Sequence, residues 1–99
     1  MPRIVWTQQA LEDLRAIRDY IARDAPRTAN AYVRRLIDAA DLLEQHPHLG
    51  AIVAELQQPE VRELVRGNFR LIYRVRKSRV SMLAVYHAAR LLDENRFSD

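Results

Sequence analysis

The sequence contains no cysteine. That excludes a disulfide framework and thiolate chemistry, and it allows a reducing compartment. Only two glycines and four prolines occur, which leaves little room for long loops. No glycine-rich phosphate cradle and no nucleophile motif is present. No apolar run approaches the ~18 residues that a membrane span needs. The N-terminal stretch MPRIVWTQQ lacks the hydrophobic region of a signal peptide. The expectation is a cytosolic protein with no membrane partner. Lysine is nearly absent, since fifteen of the sixteen basic residues are arginine. Arginine offers a planar fork suited to carboxylate and phosphate, although a GC-rich coding bias yields the same excess.

What remains is an ordinary globular composition, 48% hydrophobic and 29% charged over 99 residues. A chain of this size buries about two-thirds of its unfolded surface, enough for one modest core. Residues 1–99 are therefore expected to form a single domain. The net charge is only +3, but its placement is uneven. Residues 1–49 balance seven arginines against seven acids. Residues 62–79 carry Arg62, Arg66, Arg70, Arg74, Arg76, Lys77 and Arg79 against the single acid Glu63. Such a field attracts phosphates or acidic proteins.

Periodicity supplies the elements. Residues 3–6, RIVW, read as a short strand. Thr7 is a plausible helix N-cap, and Ala10, Leu11, Leu14, Ile17 and Ile21 then recur at three-to-four spacing, predicting a helix over 8–23. Asp24-Ala25-Pro26 breaks it and opens a second helix over roughly 26–45, stopped by Pro47. So short a break makes the pair an antiparallel hairpin. Residues 47–60 read as a connector, with room for a turn of helix in 51–57. Strands follow at about 61–66, 69–76 and 79–87, with short joins that predict an antiparallel meander. The last strand is apolar on both alternating faces, as a central strand would be. The tail 88–99 reads as a short helix or a frayed end. The resulting order β-α-α-β-β-β is an α+β, two-layer domain, with the helix hairpin packed on one face of an antiparallel sheet. The other face is expected to be open.

Side chains alternate along a strand. Phe69, Leu71, Tyr73 and Val75 should face the helices, and Arg70, Ile72, Arg74 and Arg76 the open side. The placement of Arg62 and Arg66 depends on the turn at Gly67-Asn68. A two-residue turn puts both on the helix side. A three-residue loop gathers all the charge on the open face and sends Val61 and Val65 inward, and we expect the latter. One residue of slip reverses a whole strand. Arginines on a sheet also serve plain solubility and discourage strand addition. Elsewhere, His87, Tyr86 and Arg90 are residue types that phosphodiester cleavage uses as base, acid and cation. A histidine donating one ring hydrogen bond at a strand end is the commoner arrangement. His46 and His48 lack the further ligands of a metal site, so no metal is expected. Trp6 and Phe69 read as core, not as stacking platforms.

Four segments in this order, IVWTQQALEDLRAIRDYIARD, LLEQHPHLG, VRELVRGNFRLIYRV and VYHAAR, span nearly the whole chain. Together they resemble the RelE/ParE family of bacterial toxins from type II toxin–antitoxin modules. The resemblance implies the fold derived above. RelE-like members cut messenger RNA on the ribosome with basic side chains, commonly a His-Arg or Lys-Arg pair after the last long strand, and a later Tyr. Here Ala88 and Ala89 follow His87, no Tyr follows Tyr86, and the last aromatic is Phe97. The endings resemble the ParE branch, whose members poison DNA gyrase by protein–protein binding. The resemblance thus implies no cofactor, a ParD-like or related antitoxin and gyrase as target, and the charge pattern makes Arg62, Arg66, Arg70, Arg74 and Arg76 the expected partner contacts. Direct nucleic-acid binding is allowed but not favoured. The alternative it implies is a ribosome-dependent endoribonuclease using Arg62, Arg70, His87 and Arg90. A further alternative is an inactive antitoxin-binding remnant.

Overall fold

The computed structural model describes residues 2–88. Strand β1 (Arg3–Trp6) leads into α1 (Gln8–Ala22) and α2 (Pro26–Asp41), which runs on into a single 3-10 turn, Leu42–Glu44. Strands β2 (Ala51–Ile52), β3 (Val61–Arg66), β4 (Phe69–Val75) and β5 (Arg79–His87) complete one five-stranded sheet, ordered β1-β5-β4-β3-β2. The α+β two-layer architecture and the predicted element order hold. Two features of the strand arrangement differ from expectation. Residues 51–52 form an edge strand on β3 and not a helical turn. Strand β1 joins β5 in parallel, from Arg3 opposite Arg79 to Trp6 opposite Met82, so the sheet is mixed.

Thr7 explains how the chain turns from β1 into α1. Its Oγ1 accepts the Ala10 N–H at 3.2 Å, which caps the helix. The same hydroxyl donates to the Met82 carbonyl at 2.9 Å, and the Thr7 N–H reaches that carbonyl at 3.1 Å. Where β1 ends, α1 takes over the exposed edge of β5: the Asp13 carboxylate accepts the Val85 N–H at 2.9 Å. Pro26 opens α2 in its first turn, where a missing N–H costs nothing.

The helix-side core joins Leu14, Leu36, Ala39, Ala40 and Leu43 to Leu64, Leu71, Tyr73, Val80, Met82 and Val85. Small residues at 39 and 40 let α2 approach the sheet closely. A bulge in β5 sets which residues take part. Ile72 pairs with Ala84 but Tyr73 pairs with Met82, leaving Leu83 as an extra residue. Val80 and Met82 face the helices before it, and Val85 and His87 after it. That re-phasing is why β5 looks apolar on both alternations.

The second sheet face is not open. The connector folds back across it, burying Val53 and Leu56 against Val61, Ile72, Ala84 and Tyr86. Burying two such side chains stabilises the cover by about 3–6 kcal/mol before entropy is counted. Gln57 takes a positive φ of 51°, the one non-glycine to do so among the described residues.

Candidate partner-binding surface

The turn between β3 and β4 is the shorter one. Arg66 pairs with Phe69 and Arg62 with Tyr73, leaving Gly67-Asn68 as a two-residue loop. Gly67 has φ +56°, the left-handed value that the first position of a II′ hairpin turn requires. A Cβ there would also sit 2.4 Å from the Tyr32 hydroxyl. The expected three-residue loop is therefore corrected, and β3 is reversed relative to it. Arg62 and Arg66 lie on the helix side of the sheet. Glu63 moves onto the other face, opposite Ile72 and diagonal to Arg70.

Arg70 and Arg74 do occupy the face predicted for them, but they do not face outward. They are only 7% and 8% exposed. Arg70 donates to both oxygens of Glu55, at 3.2 and 3.3 Å, and to Glu63. Glu55 comes from the connector and Glu63 from β3, so the guanidinium ties the cover to the sheet. Burial alone would lower the Arg70 pKa, but hydrogen bonds and attraction to the two glutamates outweigh it, and the net direction is up. Arg74 donates to Gln58 Oε1 at 3.1 Å, with the Glu60 carboxylate 4.0 Å away. These contacts correct the expectation of an open, Arg-lined face.

On the other side, Arg62 donates to the Gly50 carbonyl at 2.7 Å and anchors the edge below β2. Gly50 itself sits in a tight place. Its N–H donates to the Tyr73 hydroxyl at 2.9 Å, and a Cβ would fall 2.3 Å from the Glu63 carbonyl oxygen. Burial pushes the Tyr73 phenol up in pKa; the Gly50 hydrogen bond and the charge of Arg62 pull weakly the other way. Arg66 lines a small slot of about 150 Å³ with Tyr32, Arg35, Leu36 and Gly67. Arg76 is exposed at the end of β4.

Of the four residues of a nuclease reading, the three that are described, Arg62, Arg70 and His87, are not gathered in one place. His87 is exposed and stacks edge-on against Phe69, with ring centroids 5.7 Å apart. Through the bulge it faces the helix side, opposite Phe69, while Arg70 points to the other face beneath the connector. Arg62 lies on the helix side near Gly50, and Arg90 falls outside the described residues, as does Phe97. The tail prediction for 88–99 lies outside them too, apart from Ala88. Among the described residues no group of His, Asp and Glu is clustered as a metal site would require.

Among the described residues the surface also offers apolar grooves. Tyr20 is 72% exposed and lines, with Ala16, Ile17, Phe69, Val85 and His87, a groove of about 430 Å³ between α1 and the end of β5. A second groove of about 180 Å³ runs between the helices, with Leu11, Leu14 and Val33 as floor and Arg15 and Arg18 at its rim. Leu11 is the exposed member of the helical stripe. Glu55 and Glu63, the partners of Arg70, were not singled out by sequence reading. A II′ turn at Gly67-Asn68 was the signal for Glu63; nothing local marks Glu55.

A family model described as the ParE toxin of type II toxin–antitoxin system, parDE, matches residues 4–92. A curated protein of Caulobacter vibrioides, Toxin RelE2, is 40% identical over 92 residues, which are 92% of this chain and 100% of that one. A solved structure described as the chromosomal ParDE TA system from P. aeruginosa superposes with a TM-score of 0.74 at 28% identity. That match covers 88% of this chain and 96% of the other.

Proposed function

The chain belongs to the ParE toxin family of type II toxin–antitoxin systems, and from that premise we propose that it acts by binding DNA gyrase and not by cutting RNA. The observation that carries the proposal is the state of Arg70. Phosphodiester cleavage needs free cations beside a base and an acid. Here two carboxylates neutralise Arg70 under the connector, and His87 lies on the opposite sheet face. The absence of a His-Arg pair and of a late Tyr supports the same reading. With no reactive constellation gathered among the described residues, the toxin works through its surface, to which the apolar grooves around Tyr20 and Leu11 belong.

The toxin's cognate antitoxin is the second partner. A segment that folds on binding, with apolar anchors and acidic flanks, suits the groove of Leu11, Leu14 and Val33 rimmed by Arg15 and Arg18. A RelE-like ribonuclease is the second reading, favoured by the similarity to Toxin RelE2 of Caulobacter vibrioides. Two assays on the purified toxin separate these readings: supercoiling and relaxation by gyrase, and in vitro translation with mapping of mRNA ends. Inhibited gyrase with intact mRNA is expected. Site-specific mRNA cuts with untouched gyrase would overturn the proposal. Inactivity in both, with tight antitoxin binding, would leave an inert antitoxin-binding remnant.

A further inference from the structure

The tertiary structure splits the basic stretch of 62–79 into neutralised and free members. Arg70 and Arg74 are engaged by Glu55, Glu63, Gln58 and Glu60. Arg76, Lys77 and Arg79 are exposed at the far end of the β4–β5 hairpin, and none has an ion pair among the described residues. Arg3, distant in sequence, joins them. In the parallel pairing of β1 with β5, Arg3 stands directly opposite Arg79. In the antiparallel pairing of β5 with β4, the Arg76 N–H donates to the Arg79 carbonyl at 2.9 Å. Ile4, Val80 and Val75, the neighbours of these arginines, all pack on the helix side. Arg3, Arg79 and Arg76 therefore form a transverse row on the other face, across three adjacent strands, with Lys77 in the turn beside it.

Like charges placed directly opposite on a sheet are destabilising. Further along the same face the chain meets its arginines with carboxylates, yet this row is left unmatched among the described residues. Among the described residues its surroundings also lack the apolar anchors of a protein interface. The exposed large hydrophobics, Leu11, Tyr20, Leu42, Leu49, Ile52 and Val65, all belong to other segments. Three strands at a spacing of about 4.8 Å put the row across about 10 Å. A nucleic-acid strand presents a phosphate at about every 3.4 Å of helix axis. Successive phosphates of the winding strand lie farther apart through space than this axial rise, and three guanidinium forks on long, splaying side chains reach about three of them, each suited to two-pronged hydrogen bonding.

The geometry points to the Arg3–Arg79–Arg76 row, with Lys77, as a site for the phosphate backbone of a nucleic acid, read without base specificity. It lies at the opposite end of β5 from His87 and Ala88, and it is independent of the gyrase reading. A clean test measures binding of the purified full chain to a labelled random-sequence DNA duplex across a salt series. Neutralising three phosphate contacts lowers the slope of log affinity against log salt by about 2.7. The variant Arg3→Gln/Arg76→Gln/Arg79→Gln should show that loss, with affinity reduced at least about tenfold at low salt. The control Arg27→Gln/Arg34→Gln/Arg35→Gln removes the same charge from the helices and should keep most of the slope. Because the row repels itself, the first variant should melt no lower than the wild-type protein. An unchanged slope, or equal losses in both variants, would overturn the site. So would intact DNA binding with lost affinity for the antitoxin, which would make the row a protein dock, or a clear drop in melting temperature, which would make it structural.

Discussion

Replacing Arg70 by methionine tests whether this arginine is a structural clamp or a partner contact. The side chain is 8% exposed and is held by Glu55 and Glu63, whose side chains keep 29% and 21% of their surface in water. Removing one member of a fully buried ion pair costs about 3–5 kcal/mol, because its partners stay charged and unpaired. Here the two glutamates retain some solvent, which screens them, so we expect about 2–3 kcal/mol. In a domain of this size each kcal/mol moves Tm by about 4–8 °C, giving a fall of roughly 10–20 °C. Urea unfolding and a thermal melt read this directly. The damage should concentrate in the connector, so that the amide of Val53, bonded to the Val61 carbonyl at 3.2 Å, exchanges faster with solvent. Replacing the whole cluster with apolar residues, Arg70→Met/Glu55→Met/Glu63→Leu, should recover stability to within about 1 kcal/mol of wild type. A cost for Arg70→Met below about 0.5 kcal/mol, with the urea slope unchanged, would refute the clamp and return Arg70 to the partner surface.

Gly50→Ala should destabilise the fold by about 2 kcal/mol in urea titration, since the new methyl meets the Glu63 carbonyl oxygen at 2.3 Å and the Tyr73 hydroxyl at 2.7 Å. Tyr73→Phe removes the acceptor of the Gly50 N–H and should cost about 1–2 kcal/mol. The Tyr73 phenol has its pKa raised by burial, so the folded state holds its proton more tightly than the unfolded chain. Its contribution is full below the unfolded value near 10 and is lost as pH rises through the folded value; stability measured above pH ~10 should fall less steeply in Tyr73→Phe. Thr7→Ala removes the N-cap of α1 and its bond to Met82, and a thermal melt should register a loss of about 1–2 kcal/mol.

The fold was largely legible because its signals are local. The apolar stripes of 8–23 and 26–45, the Thr7 cap, Pro26 and Pro47, and the alternation in 69–75 each act within one or two turns of chain. The central position of β5 followed from its two apolar faces. The details of the surface were less legible, because each hangs on a single residue of register. A two-residue turn in place of three reversed β3, carrying Arg62 and Arg66 to the helix side and Glu63 to Arg70. The extra residue Leu83 moved His87 from the face of Arg70 to that of Phe69. With strict alternation, that histidine and that arginine would have shared a face.

By itself, then, the sequence determined the elements, their order and the helix-side core, since periodic burial is written into the spacing of apolar residues. The local excess of arginine was equally plain. Only the tertiary structure decided what those arginines do. Charge is judged by what lies across from it, and for Arg70 that is Glu55, fifteen residues away and brought near by a connector that no local pattern folds back. For Arg79 it is Arg3, brought near by a parallel pairing across the length of the chain. One arginine became an internal tie and the other part of an exposed row, although the sequence presents them as members of one run.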